Sequence, residues 1–317
     1  LILETATKEK GAATSFTFFA AATIIMLMQP FLNALNFYIE KHGIEMNYGV
    51  ARASGSFFFF IMSLLVGNLM SVTSERVVPF LGLITSIGFT VTMVYIYRSL
   101  KDIKINNSND FDPFENSPED FLNYSYIKLF IAKYRSFFLF LIGLVLFYFG
   151  HVLINNFIYQ IAANVGGNES DTGGLLALQA IVELPALIFF TKLKDIFGTK
   201  SLLAFSAIFY FVKILVTTLA SSVGMLYFSM IFQGFAFAIF IPASVHFVDE
   251  IMNKRDAVKG QAFVTMAMTL SNLLASIFGG FLIRFTGVKA TLWFGTICTI
   301  CGVTVALFAL LKNSKNN

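Results

Sequence analysis

Charged residues are scarce in this sequence. Of its 317 residues only 13% are Asp, Glu, Lys or Arg, whereas 57% are hydrophobic and 16% are aromatic. Soluble domains carry about 25% charged residues, so this chain lacks the polar side chains that would cover a soluble domain. Mostly apolar runs of about 18 residues or more recur, each long enough to cross a hydrocarbon core of about 30 Å as a helix. The composition therefore predicts a polytopic, all-α membrane protein.

Motifs of the common catalytic and energy-coupling chemistries are also missing. The chain has no phosphate-binding Walker loop, which argues against an ATP-driven pump. Its two cysteines, Cys298 and Cys301, lie inside an apolar segment, so we interpret them as small packing residues. No metal-ligand cluster and no nucleophile–base pattern stands out. The sequence therefore predicts no enzyme, no cofactor and no metal site.

Nine apolar segments are predicted to span the membrane as helices. They lie at residues 14–39, 50–72, 77–97, 137–163, 172–192, 201–220, 224–249, 260–284 and 289–311. The connectors are short except for Ser99–Ser136, whose centre is acidic and contains two prolines. This pattern predicts three parts: a three-helix remnant of an N-terminal bundle at 1–98, a cytoplasmic linker at 99–136 and a six-helix bundle at 137–317.

The distribution of Lys and Arg predicts the orientation of these spans. If the fourth span runs outward, sixteen of the 22 basic residues lie on the inner side. The outer side holds Lys8, Lys10, Arg76, Arg284 and Lys289. Cytoplasmic loops are enriched in Lys and Arg, so the linker and the C-terminus are predicted to be cytoplasmic. We interpret the net charge of +4 as a sign of topology and not as a nucleic-acid surface.

The unequal division of the spans by the linker suggests a larger architecture. Three spans precede the linker and six follow it, and the chain opens at Leu1 with neither an initiator Met nor a signal-peptide pattern. Secondary transporters are commonly built from internal repeats. We therefore expect a 6+6 transporter fold that lacks about three N-terminal helices, and we expect this chain alone to transport nothing.

One short loop resembles a family signature. The stretch "TKLKDIFGTK", Thr191–Lys200, is similar to the cytoplasmic loop signature Gly-x-x-x-Asp-Arg-x-Gly-Arg-Lys of the major facilitator superfamily. Asp195, Gly198 and Lys200 match that signature, and three other positions depart from it. Glycine permits a tight reversal, and Asp can pair with basic groups or helix N-termini. The resemblance covers essentially the whole chain, as the family's fourth to twelfth helices, and implies a transporter.

A narrower resemblance is to the oligosaccharide:proton symporter (lactose-permease-like) branch of that superfamily. The segments "NYGVARASGS", "GHVLINNFIYQ" and "ELPALIFF" look like those of bacterial members of the branch. Lys213 falls where the branch keeps an essential Arg in its ninth helix. The chain departs from the branch in two places. Its tenth-helix region has Gln233 and no acid, and the branch's sugar-binding Glu corresponds to a place near Gln179.

A carboxylate, Glu183, lies at the centre of an apolar segment. An ionised acid at a helix centre costs about 2.5–3.5 kcal/mol to insert, so such residues usually face a cavity or a partner. Pro185 follows closely and can bend the helix, because it frees a backbone carbonyl. Our hypothesis is that Glu183, with Gln179 one turn away, carries the coupling proton or binds solute hydroxyls. The alternative is a structural ion pair with Lys213 on the next helix.

Polar side chains also recur on other predicted spans, some of them at helical spacing. Amides suit hydroxyl-rich or otherwise polar neutral solutes, so these residues are predicted to line a cavity; interhelical hydrogen bonding is the alternative. The predicted cavity-lining residues are Gln29, Asn33, Asn36, His151, Asn155, Asn156, Gln160 and Gln233.

Taken together, these features predict a monomeric secondary active transporter of the bacterial cytoplasmic membrane. It would exchange a small polar solute with protons by alternating access, and its partners would be that solute, protons and the lipid bilayer. A sugar or oligosaccharide is the first choice of solute, and nucleosides or aromatic acids are next. A transport-dead membrane sensor or a decayed fragment is the remaining alternative.

Overall fold

The structure, a computed structural model, describes residues 48–73, 77–101 and 124–314. These ranges contain α-helices and no β-strand, so the all-α prediction is confirmed for them. In chain order the helices are α1 Tyr48–Val72, α2 Val77–Lys101, α3 Tyr124–Lys133, α4 Arg135–Asn156, α5 Ile158–Ala163, α6 Glu169–Phe197, α7 Thr199–Leu219, α8 Val223–Ile231, α9 Gln233–Ile251, α10 Lys254–Thr286 and α11 Val288–Ser314.

Within the described ranges, seven segments are long and apolar enough to cross a membrane. They are Ser54–Val72, Arg135–Asn156, Glu169–Phe197, Thr199–Leu219, Val223–Ile251, Asp256–Thr286 and Val288–Lys312. Helices α8 and α9 together form one segment, and α2 has a shorter apolar stretch, Leu81–Ile96. The predicted span at 14–39 lies outside the described residues. The chain is a multi-pass membrane protein, and the count of nine spans stays a prediction.

The chain divides into two compact units, and two of the boundaries, after Arg52 and after Gly67, fall within α1. The larger unit comprises Ala53–Gly67 and Asp112–Asn317, so it includes helices α3 to α11. The other unit comprises Leu1–Arg52 and Asn68–Phe111, and its described part is mainly α2. In α2 the hydroxyls of Thr85 and Thr90 donate to backbone carbonyls one turn earlier, which satisfies these groups within an apolar helix. The predicted division at residues 98 and 136 stays a prediction.

Local sequence fixes both ends of α6, the helix that carries Glu183. At its start Asn168 Oδ1 accepts from the Asp171 N–H, and the Asp171 carboxylate accepts from the Asn168 N–H, each at 2.9 Å. This reciprocal capping box satisfies backbone donors that the first helical turn leaves free. At its end Gly198 adopts a φ of +74°, which a residue with a side chain rarely adopts. The chain therefore reverses at once, and α7 begins at Thr199.

Two apolar clusters fill the bundle of the larger unit. Large members of the first are Phe137, Phe140, Phe147, Phe240 and Phe247. Large members of the second are Leu153, Ile154, Leu175, Leu226 and Met230. Along α6, α7 and α9, four buried polar side chains fall between the residues of the two clusters: Gln179, Glu183, Lys213 and Gln233. Because apolar side chains lie on both sides of this polar layer, its members must satisfy one another.

Close packing against α11 fixes the position of α4. A Cβ atom added to Gly143 would lie 2.7 Å from the backbone N of Ala306, and a Cβ on Gly150 would meet the Thr299 side chain. Small residues let the two helix backbones approach, as is common for helices packed in membranes. Any side chain at Gly143 would have to push the helices apart. The glycines therefore hold α4 at a fixed distance from α11.

The short helix α3 lies within the predicted linker and docks on α10. The buried ring of Phe130 stacks on Phe263, with 5.8 Å between ring centroids. Lys133 Nζ and Tyr134 Oη both donate to Asp256 Oδ2, at 2.7 Å each. The hydrogen bond from Lys133 to the Asp256 carboxylate raises the pKa of the Lys133 ammonium above its usual range. The end of the linker therefore joins the core of the bundle through ring contacts of Phe130, the Lys133–Asp256 ion pair and the hydrogen bond from Tyr134.

Candidate solute and proton site

Glu183 lies in the polar layer with both carboxylate oxygens hydrogen-bonded. Ser56 Oγ of α1 donates to Oε2 at 3.0 Å, and Gln233 Nε2 of α9 donates to Oε1 at 2.9 Å. The side chain is 9% exposed, so these donors replace most of the water that an exposed carboxylate would bind. Pro185 lies two residues further along α6 and leaves a carbonyl of the preceding turn without its usual helical donor. The carboxylate thus occupies a locally loosened part of the helix.

Lys213 of α7 is completely buried and donates to two amide oxygens. Its Nζ lies 2.8 Å from Gln179 Oε1 and 2.7 Å from Gln233 Oε1. The predicted alternative was an ion pair between Lys213 and Glu183. Among the described contacts the two charges do not touch, because the Gln233 amide lies between them and bonds to both. An intervening amide satisfies each charge and keeps them apart.

A second arm of the network leads from Lys213 to α4. Gln179 Nε2 donates to Asn155 Oδ1 at 3.0 Å, and Asn155 Nδ2 lies 3.0 Å from His151 Nε2. His151 is 4% exposed. We call the whole set the central network; its members, in order of contact, are Ser56, Glu183, Gln233, Lys213, Gln179, Asn155 and His151. It joins α1, α6, α9, α7 and α4 without interruption. A change in protonation or hydrogen bonding at one end can therefore alter the hydrogen bonds at the other end.

The other predicted cavity-lining residues lie elsewhere or outside the described ranges. Asn156 Nδ2 donates to Asn272 Oδ1 at 3.2 Å and to Ser276 Oγ at 2.9 Å, both on α10. Gln160 is exposed on α5. The predicted fourth span assumed one helix through residue 163, but α4 ends at Asn156 and α5 begins after Phe157. This break interrupts the i, i+4 spacing that Asn156 and Gln160 would have on one continuous helix. Residues 29, 33 and 36 are not described.

The predicted loop motif lies at the α6–α7 turn. Gly198 makes the reversal there, Asp195 is exposed and Lys200 is partly buried. The Thr199 hydroxyl donates to the carboxylate of Glu250 at the end of α9. This contact links the start of α7 to the end of α9 and holds the turn against the bundle. The motif lies far along the helices from the central network.

Sequence reasoning missed Ser56 as a partner of Glu183. The available signal was a small hydroxyl in the stretch "ASGSFFFF", just before a mostly apolar run. A hydroxyl at that depth needs an acceptor, but sequence alone does not say which helix supplies it. Helices α1 and α6 run antiparallel, since Ser56 meets Glu183 at one level and Gly67 meets Gly173 at another. The hydrogen bond between Ser56 and Glu183 therefore depends on how α1 packs against α6.

The comparison with family models agrees with the all-helical membrane fold. Residues 140–317, more than half of the chain, match the model of the Major Facilitator Superfamily. Among curated proteins, none matches the chain. The matched range contains every member of the central network except Ser56. Because the family consists of membrane transporters and not of enzymes, the prediction that the chain is no enzyme is confirmed. The chain belongs to the Major Facilitator Superfamily of membrane transporters.

Proposed function

We propose that this transporter moves a small polar solute, a sugar or oligosaccharide in the first place, together with protons by alternating access. Glu183 carries the proton, and Lys213 and Gln179 take part in coupling and in binding the solute. The branch resemblance at Lys213 and the amide-rich central network support this assignment. We assign this activity to a monomer.

One observation carries the proposal: the buried carboxylate of Glu183 accepts neutral donors from Ser56 and Gln233, while the nearby ammonium contacts it only indirectly. A carboxylate locked to an ammonium inside a protein gives up that pair at high cost when it is protonated. Here the amide and hydroxyl partners can reorient when Glu183 takes up a proton. Such an arrangement favours reversible protonation of Glu183 over a permanent ion pair between Glu183 and Lys213.

The orientation is part of the same proposal, with the C-terminus facing the cytoplasm of a bacterial cell. Two contacts support it. Lys133–Asp256 brings the start of α4 next to the start of α10, and Thr199–Glu250 brings the α6–α7 turn next to the end of α9. Since α10 begins three residues after α9 ends, the start of α4, the α6–α7 turn and the α9–α10 connection lie at one end of the bundle. The basic segments of the sequence at these places therefore share that end. Lys and Arg accumulate on the cytoplasmic side of membrane proteins.

Glu183→Gln in the full gene product tests the role of the carboxylate. The variant is expected to lose proton-driven accumulation of the solute, whereas exchange of labelled for unlabelled solute survives, because exchange needs no net proton movement. Uptake of radiolabelled lactose, maltose, sucrose and raffinose into proteoliposomes with an imposed pH gradient would be measured. Glu169→Gln is the matched control, since Glu169 is a half-buried carboxylate in the first turn of the same helix, outside the polar layer. Undiminished uphill uptake by Glu183→Gln would refute the proton-carrier role.

The same assay separates the alternative solutes. If the protein takes up nucleosides or aromatic acids and none of the four sugars, the transported solute belongs to one of those classes. The role of Glu183 would then be tested with that solute in the same assay. A protein that moves none of these solutes, with or without a gradient, would instead fit a sensor without transport activity.

A further inference from the structure

The polarity of the central network determines which ring nitrogen of His151 carries a proton. Lys213 can only donate, so Oε1 of Gln179 faces it and the Gln179 amide nitrogen donates onward to Asn155 Oδ1. Asn155 then presents its own amide nitrogen to His151 Nε2. Nε2 must accept this hydrogen bond, and a neutral imidazole that accepts at Nε2 carries its proton on Nδ1.

The Nδ1–H of His151 is a buried donor without an acceptor among the described residues. Buried polar groups are nearly always hydrogen-bonded, and an exception in a native protein calls for an explanation, such as a site that a ligand completes. The ring cannot turn to seek another partner without breaking its hydrogen bond with Asn155. The unsatisfied donor is therefore held in place by the rest of the network.

Aromatic rings surround His151. Phe237 stacks on it with 5.3 Å between centroids and an interplanar angle of 18°. Tyr148 and Tyr210 lie 5.0 Å and 5.3 Å away. Tyr210 is buried, whereas Tyr148 and Phe237 are half-buried. A fixed N–H donor beside aromatic faces suits a cyclic solute that offers an oxygen next to an apolar C–H face, as a sugar ring does.

We infer that His151 is a solute-binding residue, whose Nδ1–H donates to an oxygen of the transported sugar. The inference rests on the proposed transport of a sugar and adds a contact at the end of the network opposite Glu183. The proton and the solute would then bind at the two ends, with Lys213 and its amide partners between them. A bound solute supplies the missing acceptor and, through Asn155 and Gln179, steadies the orientation of the whole arm.

Two substitutions distinguish the two ring nitrogens. An Asn side chain can place its N–H near the position of Nδ1, whereas a Gln side chain reaches the position of Nε2. In the full chain, purified in detergent, His151→Gln is expected to weaken sugar binding roughly 10- to 100-fold, the usual effect of losing one hydrogen bond in a buried site. His151→Asn is expected to weaken it markedly less. The dissociation constants of radiolabelled lactose, maltose, sucrose and raffinose would be measured at equilibrium.

The outcomes separate this inference from the proposed function. An equal loss in both variants, or a larger loss in His151→Asn, overturns the role of Nδ1 and leaves the transport proposal standing. If the unsubstituted protein binds none of the four sugars, the sugar class and this inference fall together. Thermal unfolding midpoints of the variants show whether each has folded.

If either variant fails to fold, nitrogen NMR of the unsubstituted protein provides the test. The variants His42→Asn and His246→Asn remove the other two histidines in turn and so identify the resonances of His151. Bound sugar is expected to shift the Nδ1 resonance of His151. A spectrum in which sugar moves only the Nε2 resonance, or neither, overturns the inference.

Discussion

Two pairs of opposite charges in this protein are built in different ways. At the end of the bundle, Lys133 contacts Asp256 directly at 2.7 Å, and the Lys133 side chain is 56% exposed. In the polar layer, Lys213 is fully buried and is joined to Glu183 through the Gln233 amide. The charged groups of the exposed pair touch each other, whereas an amide stands between the charged groups of the buried pair.

Solvent explains why the two arrangements suit their places. Near water the attraction within a pair is screened, so a direct contact adds little stability and is easily broken. In an apolar interior the same contact would be strong, and removing either charge would strand the other. An amide between the charges hydrogen-bonds to both and increases their separation. The buried carboxylate can therefore change its protonation state more readily than one in a direct pair.

Lys213→Met should have the largest effect of any change to these pairs. It removes a buried positive charge that is hydrogen-bonded, through Gln233, to Glu183, and it leaves two amide oxygens without their donor. We expect the free energy of unfolding in detergent to fall by about 3–5 kcal/mol, as when one partner of a buried pair is removed. Denaturant unfolding followed by tryptophan fluorescence would measure it.

The control for Lys213→Met is the double variant with Glu183→Gln. Neutralising both charges leaves no uncompensated ion, so the double variant should regain more than half of the lost stability. If the stability losses of the two single variants simply add in the double variant, Lys213 and Glu183 contribute independently to stability. The Gln233 amide would then not couple the two charges, and the buried pair would not differ energetically from two separate residues.

Gln233→Met should have the next largest effect. The variant keeps the volume but removes the amide that accepts from Lys213 and donates to Glu183. Each group left unsatisfied costs about 1–3 kcal/mol, so we expect a loss in that range. Gln261→Met is a matched control, since the Gln261 amide donates to a backbone carbonyl near the surface. If Gln233→Met and Gln261→Met lose the same free energy of unfolding, the amide of Gln233 between the two charges does not contribute to stability.

Much of the fold was predictable because apolar length and basic loops are local signals. The all-α fold, the membrane spans after the linker and the glycine reversal at Gly198 each follow from a few consecutive residues. The sequence also allowed a pairing of Glu183 with Lys213, since the depth of each residue can be counted along its helix from the loop that they share. Their depth is a matter of helical rise, which sequence supplies.

The bonding within the site was not predictable in the same way. Gln233 bridges the two charges because of where α9 crosses α6 and α7, and Ser56 reaches Glu183 because of the α1–α6 crossing. Sequence spacing carries no information on these crossings. The break at Phe157 is a second case, because a periodic stripe assumes a continuous helix, and Asn156 instead bonds to α10. Both differences arise from packing between helices.

Ser56→Ala should have a smaller effect than either buried change. Glu183 loses the hydroxyl donor at Oε2 but keeps the Gln233 amide at Oε1. We expect a loss of about 1 kcal/mol, the net contribution of a typical hydrogen bond. Ser71→Ala is the control, because the Ser71 hydroxyl donates only to a carbonyl of its own helix near its exposed end. If both variants lose the same amount, the α1–α6 contact contributes nothing beyond local bonding.

Lys133→Gln should have the smallest effect, and high salt should abolish it. Because the hydrogen bond to Asp256 raises the pKa of Lys133, the ion pair is fully present below the ordinary lysine pKa of about 10.4 and is lost only as the pH rises through the raised value. Between pH 6 and 9, roughly, the small difference in unfolding midpoint from the unsubstituted protein should therefore stay constant. It should vanish in about 1 M salt, where screening acts within about 3 Å. Lys128→Gln, an exposed lysine on the same helix, is the control. A large, salt-independent loss would mean that the exposed pair behaves like a buried one, and the contrast between the two regions would fail.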